Sequence, residues 1–143
     1  MYKINNIIMT KELKAMIAPR WCEEQNGVYV PLIGKVLEAD NLAAEAMCYQ
    51  DIMKLAQKQG KQVATRAELF QLFLQKDEIN EILAEHGCKV LTGWYCASDL
   101  VDEALIYRPQ FTGRPFAIDF DDGLSGFWST THKLKARTVA PLK

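Results

Sequence analysis

The hydrophobic pattern of this chain changes period at Gly87, and that change limits the folds open to it. Between Asp40 and Gly87 apolar residues recur at helical spacing; beyond Gly87 they form short β-type runs separated by turn residues. Periods of 3.6 and 2 cannot substitute for one another, so a chain carrying both in succession reads as α+β. A strand is expected ahead of the helices, because β-formers fill Val28–Ile33 between Gly27 and Gly34. Pro31 within it points to an edge strand or a bulge.

Within the helical stretch, "NLAAEAMCYQDIMKLAQKQG" predicts an amphipathic helix of about 17 residues. Asp40 or Asn41 would cap it, and Gly60 stands where a left-handed stop belongs. Leu42, Ala46, Tyr49, Met53 and Ala56 share its apolar face, with Ile52 at the edge. Thr65-Arg66-Ala67-Glu68 is a T-x-x-E capping box, which opens a second helix with Leu69, Phe70, Leu72 and Phe73 as its buried side. "KDEINEILAEHG" predicts a third, with Asp77 as cap, Gly87 as stop and Ile79, Ile82 and Leu83 inward. Near the N-terminus, Met9–Ile17 reads as a short helix capped by Thr10 and halted before Pro19.

Past Gly87, β-runs are expected at 88–96, 104–107, 116–120, 127–131 and 137–139, with Asp121-Asp122-Gly123 as a hairpin turn. The 143 residues fit one domain, 1–143, in which 1–26 read as an N-terminal extension. A net charge of −1 supplies no field drawing the whole molecule to nucleic acid or an anionic bilayer. No apolar run nears the roughly 18 residues of a membrane span, so no membrane partner is expected. The N-terminus lacks the pattern of a secretory signal, so a cytoplasmic or virion-associated location is expected.

The ordered motifs resemble the Lcl C-terminal-domain-like family, a bacterial and phage domain of largely unknown function. Thr65, Glu68 and Leu69 match the end of its W-R-L-P-T-x-x-E-L motif, and Gly93–Ser98 stands where Y-W-S-S-T would. Phe120-Asp121-Asp122-Gly123 matches its F-x-x-G hairpin, and Arg137-Thr138-Val139 most of a terminal R-x-V-R. The likeness covers roughly residues 41–140. It departs at Lys61-Gln62-Val63-Ala64, which replaces W-R-L-P, and Trp128-Ser129-Thr130-Thr131 competes for the Y-W-S-S-T position. The resemblance implies a C-type-lectin-like fold, two or three helices followed by an antiparallel β-rich half. The fold is akin to that of formylglycine-generating enzymes, whose cysteine–copper motif has no match here.

The chemical candidates cluster in "HGCKVLTGWYCASDL". His86, Cys88 and Cys96 give H-x-C-x7-C without the second ligand pair that structural zinc uses, so no metal and no cofactor is assigned. Without a signal peptide, Cys22, Cys48, Cys88 and Cys96 read as free thiols and small core residues. Cys96 with His86 or His132 and Asp99 could be drawn as a thiol-dependent centre; that is the alternative function. Asp119, Asp121 and Asp122 do not meet calcium-loop spacing and read as turn residues. Lys133, Lys135 and Arg137 at spacing two would share a strand face. The leading expectation is a non-enzymatic binding or structural module recognising a protein or glycan. No catalytic residue is assigned. Tyr107, Arg108, Arg114, Trp128, Lys133 and Lys135 are its candidate surface, since aromatic and arginine side chains dominate binding hot spots. Nucleic acid is disfavoured for want of aromatics interleaved with the basic residues.

Overall fold

A computed structural model describes residues 2–4, 7–100 and 113–143. It is mixed α+β with antiparallel sheets. A small hairpin, β1 (Tyr2–Ile4) and β2 (Ile7–Met9), precedes helix α1 (Lys11–Ile17). The Thr10 side chain caps α1 by accepting from the Leu13 N–H at 3.2 Å. The chain then enters a five-stranded sheet ordered β3 (Arg20–Cys22), β4 (Gly27–Val30), β5 (Lys35–Asn41), β10 (Arg137–Pro141), β6 (Gln62–Val63). Part of the expected extension, Arg20–Cys22, is therefore a strand of the main sheet.

The expected strand at Val28–Ile33 is two strands and a turn. Pro31 takes the first central position of a tight turn, with the Ile33 N–H donating to the Val30 carbonyl at 3.1 Å. Gly34 follows at φ +65, conformationally cheap for glycine, and the hairpin returns as β5.

Helix α2 (Tyr49–Gln59) is shorter than its periodicity predicts. Residues 42–47 carry helix-forming alanines but pair with the C-terminal segment instead. Leu42 N–H donates to the Ala136 carbonyl at 2.9 Å, and Met47 exchanges two backbone bonds with Leu134. Alanine's preference amounts to only tenths of a kcal/mol per residue over most others, so backbone pairing in a packed sheet edge outweighs it. Ile52, expected at the edge of the apolar face, lies at its centre with Ala56. Gly60 closes the helix in the left-handed conformation, as expected.

Helix α3 (Arg66–Leu74) carries both bonds of the predicted capping box: Glu68 N–H to Thr65 Oγ1 at 3.2 Å and Thr65 N–H to Glu68 Oε1 at 3.0 Å. Leu69 and Leu72 are buried and Phe73 partly so, whereas Phe70 is exposed. Helix α4 (Lys76–Glu85) is capped at Gln75 rather than Asp77, and buries Ile79 and Leu83. So there are four helices among the described residues, and strands both precede and follow them.

The second sheet is β7 (Trp94–Leu100), β8 (Pro115–Asp119), β9 (Ser125–Phe127) in that order. The expected strand at 88–96 begins only at Trp94. The Asn80 side chain holds Leu91 through two bonds, accepting from its N–H at 2.7 Å and donating to its carbonyl at 3.0 Å. Residues 88–92 are thus tied to α4, and Gly93 at φ +72 turns the chain into β7. The run expected at 104–107 lies outside the described residues. The Asp121-Asp122-Gly123 turn joins β8 and β9 as predicted. The Phe127–Thr131 strand is shifted to Ser125–Phe127, because Ser129 and Thr131 form a local hydroxyl turn.

Two apolar clusters knit these layers. The first joins Val28, Leu37 and Val139 of the large sheet to Leu69, Leu72, Ile79 and Leu83 of the helices and to Tyr95, Ile118 and Phe120. The second gathers Leu42, Ile52, Ala56, Val63, Cys96, Leu134 and Ala136. Each fully buried Leu or Ile contributes roughly 1.5–3 kcal/mol.

Candidate functional site

Lys133, Lys135 and Arg137 do not share one exposed strand face: the two lysines precede β10, which begins at Arg137. Lys133 is exposed, Lys135 half-buried, and Arg137 has no exposed surface at all. The Arg137 guanidinium donates to the carbonyl of Glu38 at 2.9 Å and of Ala39 at 2.5 Å, and to Asn41 Oδ1 at 3.4 Å. The Tyr95 hydroxyl donates to the same Asn41 oxygen at 3.0 Å. Burial lowers the Arg137 pKa from its ordinary value, while Tyr95 and Asp40 act the other way.

This network underlies a cleft of about 630 Å³ lined by Asp40, Asn41, Lys89, Thr92, Tyr95 and Lys135, with Ala43, Ala44 and Val90 as its apolar wall. Its lining comes from the end of β5 and the residues just after it, the segment that Asn80 ties to α4, the start of β7, and the approach to β10. Lys135 donates to the Thr92 carbonyl, and its ammonium lies 4.7 Å from the centre of the Tyr95 ring. A Cβ on Gly93 would come 3.2 Å from that ammonium, so glycine serves both the turn and the lysine's approach.

The expected surface residues do not form one site. Tyr107 and Arg108 lie outside the described residues. Arg114 is half-buried just before β8. Trp128 is half-buried against the second cluster, edge-on to Trp94 at 5.0 Å and tilted over His132 at 4.3 Å. Lys133 lines a different cleft, with Met47, Cys48, Asp51 and Thr131. Of the expected residues that are described, only Lys135 lines the cleft over Arg137. Asp40, Asn41, Lys89, Thr92 and Tyr95 complete the polar lining without a site motif in the sequence. Asp40 and Asn41 read as helix caps, and the signal that could have placed them in a strand is the turn-forming Pro31 with Gly34.

The thiol constellation is not assembled. Cys96 is fully buried in the second cluster, and burial, aided by the Asp99 charge, pushes its thiol up to about 12. Cys88 packs against the first cluster instead, and burial raises its pKa too. His86 stacks on Trp21 with ring centres 3.8 Å apart. A thiol held protonated is a poor nucleophile, and neither histidine is hydrogen-bonded to Cys96. Among the described residues no three His, Cys, Asp or Glu side chains converge as a metal site requires. The aspartates of the β8–β9 turn are engaged locally: Asp119 Oδ1 accepts from Asp121 N–H, Asp122 Oδ1 from Leu124 N–H, and Asp121 Oδ1 from Gly93 N–H. No helix among the described residues is long and apolar enough to cross a membrane. Comparison with protein-family models, with curated proteins and with solved structures finds no match.

Proposed function

We propose that the chain is a non-enzymatic binding module, a C-type-lectin-like domain of bacterial or phage type, recognising a protein or glycan partner through the cleft above Arg137. The observation that carries this reading is the cleft's preorganised wall. Asn41 Oδ1 is held by two buried donors, Tyr95 and Arg137, and Lys135 is pinned by Thr92 and the Tyr95 ring. Polar groups fixed before a ligand arrives spare it the cost of ordering them. A concave site of several hundred Å³ that combines small apolar residues with a few convergent polar groups suits one ligand unit or side chain. The C-type-lectin-like part of the proposal rests on the ordered motifs and on the mixed α+β arrangement. The thiol-enzyme alternative loses its footing with the burial of Cys96.

The test is a glycan array together with a displayed-peptide library, probed with the native protein and with Asp40→Ala/Lys89→Ala. The proposal expects ligands that the native protein retains and the double variant loses by tenfold or more. It is abandoned if no ligand is retained, or if every ligand binds both proteins equally.

A further inference from the structure

The charges around this cleft do not balance. Among the described residues, ion pairs join Lys35 to Glu68 and Lys61 to Glu38, both away from the cleft. Among the same residues, Lys89, Lys135 and the buried Arg137 have no carboxylate within ion-pair distance. Arg137 donates to neutral acceptors, with Asp40 acting on it only from beyond ion-pair distance. Lys135 spends one proton on the Thr92 carbonyl and lies over the Tyr95 ring, leaving donor capacity for the cleft. Among the described residues, Asp40 is the one carboxylate in the lining.

On the binding-module reading, we infer that the cleft takes an acidic sugar, its carboxylate meeting Lys135 and Lys89 and its hydroxyls donating to Asp40. The mixture of groups selects this class. Two lysines line this concave surface and the buried Arg137 lies behind it, bonded to the lining residue Asn41, an excess of positive charge over Asp40 that favours an anion there. Asp40 opposes a ligand that is acidic throughout, such as a polyglutamate segment, but is an acceptor for hydroxyl donors. Ala43, Ala44 and Val90 offer a small apolar wall to the C–H face of a sugar ring.

The experiment follows backbone amide resonances of Asn41, Thr92, Gly93 and Tyr95 at constant ionic strength. The protein is titrated in turn with glucuronate, glucose and tetraglutamate. The inference expects saturable shifts of these amides with glucuronate, and at least tenfold weaker binding of the other two. Lys135→Met and Lys89→Gln should each weaken glucuronate binding severalfold or more, whereas Lys61→Gln, on another face, should leave it unchanged. An otherwise unaltered amide spectrum verifies that each variant is folded. Unmoved cleft amides with glucuronate overturn the inference, as does equal binding of glucose. Preferential tetraglutamate binding also overturns it, in favour of an acidic protein partner. If glucuronate fails while an array ligand still depends on Asp40 and Lys89, the acidic-sugar assignment falls and the binding module stands. If glucuronate fails and no array ligand depends on the cleft, both fall.

Discussion

Arg137 and Cys96 show how burial decides what a polar side chain can do. Arg137 fills a slot whose walls are the carbonyls of Glu38 and Ala39 and the Asn41 amide oxygen. Arg137→Met removes a desolvated charge, which is favourable, but leaves two buried carbonyls without donors at roughly 1–3 kcal/mol each. The expected net loss is about 2 kcal/mol, read as a lower urea midpoint at unchanged m-value. Cys96 gives a pH signature. Its folded pKa of about 12 lies above the unfolded value of roughly 8.5, so the folded state holds the proton longer. Stability from this thiol is therefore complete below about pH 8.5 and falls by up to ~1.4 kcal/mol per pH unit towards 12. Urea melts of the native protein and Cys96→Ala at pH 7, 9 and 10 should show the gap between them narrowing as pH rises. A constant gap would contradict the assigned burial. The free thiols were legible in composition, but nothing in the spacing tells a buried cysteine from a reactive one.

At the scale of single elements, agreement with expectation follows the range of the interactions. The α3 capping box closes within four residues, and both of its bonds form. Burial pushes the Glu68 carboxyl up, but bonds from Lys35 and Thr65 outweigh that and leave it below its ordinary value. Thr65→Ala should cost about 1 kcal/mol of stability through loss of the cap, measured by chemical denaturation, while Thr65→Ser should restore most of it. Helix α2 is the opposite case. Its periodicity extends back to Leu42, yet Ala136 and Leu134, about ninety residues on, a separation whose closure carries a loop-entropy cost, hold 42–47 out of the helix. A local reading cannot see a partner that far along the chain. Strand β7 begins late through a nearer partner, the side chain of Asn80, which holds Leu91 from eleven residues away.

For the whole molecule, the governing fact is that the last strand lies inside the first sheet. Strand β10 pairs with β5 on one side and β6 on the other, and Arg137 and Val139 project into the core from it. Gln25 adds a clasp, donating to the Pro141 carbonyl at 3.0 Å and accepting from the Lys143 N–H at 3.0 Å. A chain ending at Ala136 would expose the edges of β5 and β6 and empty the Val139 and Arg137 sites. Such a truncation should lose cooperative thermal unfolding and gain dye-accessible apolar surface, seen by circular dichroism and ANS fluorescence. A sharp two-state melt of the truncated chain would show that β10 is dispensable. Contacts between distant segments also make slow folding the expectation, because loop closure precedes their reward.

The amino-acid sequence alone determined the mixed α+β class, the caps of α1 and α3, the glycine stop at Gly60 and the Asp-Asp-Gly turn. All of these depend on residues a few positions apart, whose backbone preferences and hydrogen bonds are set locally. Only the tertiary structure decided that residues 42–47 leave the helix, that Arg137 is buried and Lys133 is not, and that Asp40, Asn41, Lys89, Tyr95 and Lys135 share one cleft. Those outcomes depend on which strands become neighbours. A strand's neighbour is chosen by the combined burial of a whole sheet, a quantity that no short window of residues contains.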